Sequence, residues 1–123
     1  MDKVQLVVRL LFGLMLVVFG SNYFLHFIPQ PEMTPESGAF MGALVSTKFY
    51  FPLIKSIEIL VGIALLTNKK VALASVVVFP VMVAAFLYHL GLDVGGIGGA
   101  AVAVLFNIFL LYANRKKYQP MLA

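Results

Sequence analysis

The sequence predicts an all-α fold: an integral membrane four-helix bundle with an extra short interfacial or re-entrant half-helix between spans one and two. Three observations predict it. Hydrophobic residues make up 62% of the 123-residue chain and charged residues 11%, against about 45–50% and 25% in soluble domains. A soluble domain of this size could not hide so much apolar surface. Four segments are apolar over bilayer-crossing lengths of roughly 17–25 residues. Finally, the cations collect at alternate ends of these segments, which is a topology signal.

Residues 6–28 form the first expected span. Lys3 and Arg9 flank its apolar stretch, residues 10–28, as in a signal peptide, but that stretch exceeds a signal core of about 7–15 residues and no small-x-small cleavage site follows. It is read as a retained span. Residues 29–48 connect it to the second. Within that connection Thr34 suits an N-cap, Pro35 the first helical position and Glu36 the positive end of the dipole. The helix expected over 35–47 is too short to span. Phe40, Met41, Leu44 and Val45 make its apolar face; Gly38, Gly42 and Ser46 make a small-residue ridge suited to packing on the bundle. Spans two, three and four are expected at 49–66, 71–90 and 97–113, joined by short connections at 67–70 and 91–96. Pro80 removes a backbone bond in span three and is expected to kink it. Gly13 and Gly20 in span one, and the ladder Gly95, Gly99, Ala103 and Asn107 entering span four, read as close-packing positions within one chain. The whole chain is one membrane domain.

Lys3, Arg9, Lys69, Lys70, Arg115, Lys116 and Lys117 all fall at one end of the spans. Glu32, Glu36 and Asp93 fall at the other, with Lys48. The positive-inside rule places both termini and the 67–70 turn in the cytoplasm.

Lys55 and Glu58 are the anomaly. Both lie inside an apolar span, where an ionisable side chain costs roughly 2.5–3.5 kcal/mol on insertion scales. Three apart on a helix, they share a face and can neutralise each other. Either they form a purely structural pair, with Asn107 as a third partner, or Glu58 carries a proton. Counting roughly 1.5 Å per residue from the outer ends, His26 and His89 are about 2–3 Å deep, Asn22 and Lys55 about 9 Å, and Glu58 and Asn107 about 14–15 Å. These six residues are the ligand-binding or proton-carrying candidates, arranged as a polar layer opening outward. For Asn22 and His26 the alternative is interface anchoring.

The chain has no cysteine, which excludes thiol catalysis and thiolate metal sites. No metal-ligand spacing, phosphate-binding glycine loop or nucleophile elbow is present, and nothing points to nucleic acid. No residue can be assigned as catalytic.

The segments RLLFGLMLVVFGSNYFLHFIP, FMGALVSTKFYFPLIKSIEILVGIALLTNK, VALASVVVFPVMVAAFLYHLGLD and FNIFLLYANRKKYQPML resemble the DoxX-like family of small four-helix membrane proteins. The resemblance covers most of the chain and is most specific over PLIKSIEI. It implies residence in the bacterial cytoplasmic (inner) membrane. It also implies a quinone-linked oxidoreductase subunit that binds a lipophilic small molecule and draws electrons from a redox partner protein, since the chain has no redox cofactor motif of its own. The family motif falls on Asn22, His26, Lys55, Glu58 and His89. One departure is Ala84, where relatives often carry Asn. The alternative function is a non-catalytic membrane assembly, chaperone or lipid-binding protein. Nothing in the sequence indicates a homo-oligomer.

Overall fold

The computed structural model describes residues 2–27 and 33–122. Ile28, Pro29 and Glu32, assigned above to the end of span one and the long connection, lie outside the described residues. Among those described there are helices and turns and no strand. The helices are α1 (Asp2–Leu25), α2 (Pro35–Ser46), α3 (Tyr50–Leu66), α4 (Val71–Gly91), α5 (Ile97–Ala113) and α6 (Arg115–Leu122), with a 3-10 turn at Val94–Gly96 before α5.

Among the described residues three segments are long and apolar enough to cross a membrane: Lys3–Leu25, Val71–Gly91 and Val94–Ala113. At 17 residues, α3 reaches that length only if joined to α2, and the two are bent by 89°. The chemistry of the bend is local. Lys48 takes a left-handed conformation, φ 67°, which a non-glycine residue enters at a cost. Thr47 supports both sides of the break. Its hydroxyl donates to the Leu44 carbonyl at 2.7 Å and accepts from the Tyr50 N–H at 3.1 Å. At its other end α2 starts from Thr34, whose hydroxyl accepts from the Ser37 N–H at 3.1 Å.

The 67–70 turn reverses the chain through two more left-handed residues, Asn68 (φ 57°) and Lys70 (φ 53°). Asn takes this conformation readily because its short side chain tolerates it. Helix α4 continues through Pro80 without interruption. The terminal α6, which sequence reasoning treated only as a basic flank, turns back so that the Tyr118 hydroxyl donates to the Ala72 carbonyl at 2.7 Å.

Helix α1 packs along α3 and α4 along α5, while contacts of α3 with α4 and of α1 with α5 close the ring. Glycine makes the first of these contacts close. A Cβ on Gly62 would lie 2.8 Å from the Gly13 carbonyl oxygen and 2.6 Å from Val17 Cγ2. One turn away on α3, a Cβ on Gly20 would lie 2.8 Å from Ile59 Cγ1 and 3.2 Å from the Lys55 carbonyl oxygen. Gly13 and Gly20 are therefore packing positions within the chain. The ridge of Gly38 and Gly42 is not: a Cβ on either would meet nothing within 4 Å, and the same holds for Gly99.

Phe12, Leu16, Val61, Leu65, Val78 and Leu110 fill the interior, with Phe12 edge-on to Phe106 at 6.5 Å. Outside, large apolar side chains point away from the protein on every helix of the ring, among them Leu14, Leu60, Leu73 and Leu105. A soluble monomer rarely exposes apolar patches beyond a few hundred Å². Lipid, as apolar as leucine, accommodates such a surface.

Candidate functional site

Glu58 is buried on the face of α3 that meets α1. Its seat exists because the facing residue is Gly20; a Cβ there would already be 3.5 Å from Glu58 Cβ. Lys55 Nζ lies 3.2 Å from Glu58 Oε2, and the two side chains keep 23% and 7% of their surface open. The lysine is thus the accessible member and the carboxylate the enclosed one. In a protein interior such a pair has to offset the desolvation of both charges, and the mutual contact is what keeps either tolerable in this apolar helix.

The remaining candidates are distributed differently from the expectation. Asn107 is fully buried, but its amide donates to the Ser75 carbonyl at 3.0 Å. It is not a third member of the ion pair. Ser75 lies one turn into α4 from the 67–70 side, so this polar contact belongs toward the basic end. Asn107 Oδ1 is left buried with no partner among the described residues. An orphaned buried acceptor costs about 1–3 kcal/mol.

His89 serves the turn between α4 and α5. Its Nδ1 is 3.1 Å from the Asp93 carbonyl oxygen and 3.3 Å from Asp93 Oδ2. The ring lies flush on Gly96, where a Cβ would approach it to 2.5 Å. This is a local staple four residues long, and it does not bring His89 to Lys55 or Glu58. His26 is exposed just past α1 in a left-handed conformation, φ 54°, its N–H bonded to the Asn22 carbonyl at 2.7 Å. Asn22 is half-buried on the last turns of α1. Beside it, Tyr23 lies 5.7 Å from Phe51 across the α1 and α3 contact. Rings of this kind suit the membrane–water boundary.

Two features escaped the sequence reading. Ser37, buried on α2, shares a hydrogen bond with the Tyr88 hydroxyl of α4, and Phe40 stacks on Tyr88 at 5.6 Å. Helix α2 is therefore docked through Ser37 and Phe40, and its glycine ridge faces outward. Second, the cavities that stand out among the described residues lie at the basic end. The larger, about 640 Å³, is lined by Arg9, Lys70 and Lys117 with the amides of Gln5, Asn68 and Asn114. A smaller one, about 390 Å³, shares Gln5, Asn114 and Lys117 with it and adds Arg115 and Lys116. Neither is lined by Lys55 or Glu58. The cation cluster was visible in the sequence, where it read only as topology.

Among the described residues no three His, Asp or Glu side chains converge as metal ligands would. Tyr118 sits outside the apolar helices, and burial pushes its phenol above the ordinary value of 10.0. Comparison of the chain with known protein families, with curated proteins and with solved structures yields no match.

Proposed function

We propose that this chain is a multi-pass membrane protein that holds a lipophilic small molecule of the quinone class at Lys55 and Glu58. In this reading α1, α3, α4 and α5 cross the bilayer as a four-helix bundle, and α2 is the interfacial or re-entrant half-helix. Both termini face the cytoplasm of a bacterial inner membrane, as the segregation of cations supports. The likeness of PLIKSIEI and its surroundings to the DoxX-like proteins supports the same reading.

The observation that carries the proposal is the ion pair itself: charges 3.2 Å apart inside an apolar helix. Intramembrane ionisable residues of this kind mark ligand or proton pathways. The partly open Lys55 offers a donor to a carbonyl on a molecule arriving through the lipid. Glu58 behind it is a proton acceptor and donor. Reduction of a quinone to a quinol consumes electrons and protons together, and the electrons come from a redox partner protein. His89, fixed on Asp93, and Asn107, fixed on Ser75, are outside this contact.

The test is quinone binding to the detergent-purified protein. Wild type binds a soluble short-chain quinone, and Glu58→Gln and Lys55→Met lose the binding while remaining helical. Quinone binding that is equal in all three proteins sinks the proposal. A second reading, a non-catalytic assembly or lipid-binding protein, is favoured by one observation: neither cavity reaches the ion pair. No quinone binding by the folded wild type decides for it.

A further inference from the structure

The larger cavity at the basic end has a lining of unusual sign. Arg9 comes from α1, Lys70 from the turn before α4, and Lys117 from α6, three segments far apart in sequence. Among the described residues no carboxylate lines it. Like charges brought to one concavity repel, and nothing of opposite charge among the described residues of the wall offsets them.

The fold brings the three cations to one place, and Arg9 is held there by a hydrogen bond. The Arg9 guanidinium, half-buried, donates to the Leu65 carbonyl at the end of α3. A guanidinium carries five N–H donors, so this bond aims the group without exhausting it. Lys70 precedes α4 in a left-handed backbone conformation, φ 53°, with its side chain exposed at the cavity. Lys117 is placed by α6, which the Tyr118 hydroxyl ties to Ala72. Asn114 is buried at 6% exposure and Gln5 is half-buried. The other walls are apolar: Leu6 and Leu73 are exposed next to the cations. Cations, neutral amides and an apolar flank together match a phosphate joined to hydrocarbon. Basic pockets between membrane helices near the cytoplasmic surface bind anionic head groups.

We propose that this cavity binds the phosphate of an anionic phospholipid, with Arg9, Lys70 and Lys117 as the charge partners and Gln5 and Asn68 as neutral hydrogen-bond partners. The proposal rests on the membrane embedding proposed above and is independent of any ligand at Lys55 and Glu58.

The experiment uses the full chain reconstituted in nanodiscs of phosphatidylcholine containing a minor share of phosphatidylglycerol. The protein is extracted into neutral detergent and the retained lipids are counted by mass spectrometry. Wild type is expected to enrich phosphatidylglycerol over phosphatidylcholine. In Lys70→Gln/Lys117→Gln, which leaves the Arg9 bond intact, the enrichment falls by roughly fivefold for each cation removed. In Lys3→Gln/Lys69→Gln, which removes the same charge from the same end but outside the cavity, it is unchanged. Equal loss in both variants, or no enrichment by wild type, overturns the proposal. Inorganic phosphate is tested alone on the lipid-free wild type. Binding as tight as that of phosphatidylglycerol assigns the cavity to a soluble anion and overturns the lipid reading. Failure to enter nanodiscs at all overturns the membrane reading with it, whereas entry without enrichment overturns this proposal alone.

Discussion

Lys55→Met and Glu58→Leu should not cost the same, although they break the same contact. Lys55→Met strands the enclosed partner, whose side chain is 7% exposed. Removing one member of a buried pair leaves an uncompensated charge and costs about 3–5 kcal/mol. Glu58→Leu strands Lys55, which keeps 23% of its side-chain surface and has a long stem that can carry its ammonium toward a polar boundary. That loss should fall at or below about 3 kcal/mol, the lower end of the same range. The double variant leaves no charge behind, and apolar replacements of a buried pair are often neutral or better. Its cost should therefore be smaller than that of Lys55→Met alone, so the coupling in the cycle should exceed the whole cost of Glu58→Leu. Reversible unfolding in mixed micelles with a rising fraction of denaturing detergent, followed by far-UV circular dichroism, gives all four stabilities. Additive single effects would refute the reasoning, since they would mean that the 3.2 Å contact carries no energy.

Three further outcomes follow from particular contacts. Gly62→Ala places a Cβ 2.6 Å from Val17 Cγ2 and 2.8 Å from the Gly13 carbonyl; with backbone on one side it should cost about 1–3 kcal/mol or more, while Gly99→Ala, which meets nothing within 4 Å, should cost nothing in the same unfolding assay. Asn107→Leu removes one hydrogen bond, to Ser75, and one orphaned acceptor; the two changes oppose each other, so its stability should stay within about 1 kcal/mol of wild type, and a loss several times larger would show that Oδ1 has a partner. Tyr118 has a raised pKa, so the folded state holds that proton more tightly than the unfolded state. Its contribution is complete below 10.0 and is lost as pH rises through the folded value. Subtracting the phenolate absorbance titration of Tyr118→Phe from that of wild type should reveal a phenol titrating above 10.0; a difference curve at or below it would contradict the burial.

Helices are the most legible part of such a chain, because length and apolarity are sums over many residues. The start of α2 is legible too: Thr34, Pro35 and Glu36 each satisfy a separate requirement of a helix N-terminus. Contacts between helices are harder. Gly13 and Gly20 proved to face α3, while Gly38, Gly42 and Gly99 proved to face open space, and nothing in a glycine distinguishes these cases until its neighbour is known. His89 illustrates the same limit at short range. Asp93 stands four residues on, but whether the ring folds onto the turn or points along the bundle depends on the path through Asp93 and Gly96.

By sequence alone, this protein is helical, apolar over three or four potential spans, with most of its cations at one end and most of its acids at the other, and marked by Lys55 and Glu58. These properties follow from what each residue costs in lipid and from its place along one helix. Tertiary structure decided which polar groups meet. It paired Asn107 with Ser75, held His89 on its own turn, docked α2 through Ser37 and Tyr88, and gathered Arg9, Lys70 and Lys117 around one cavity. Those outcomes depend on helix rotation and crossing. Backbone approach at Gly13 and Gly62 is decisive for the α1 and α3 pair, and a rotation of one residue there would turn Glu58 away from its seat against Gly20.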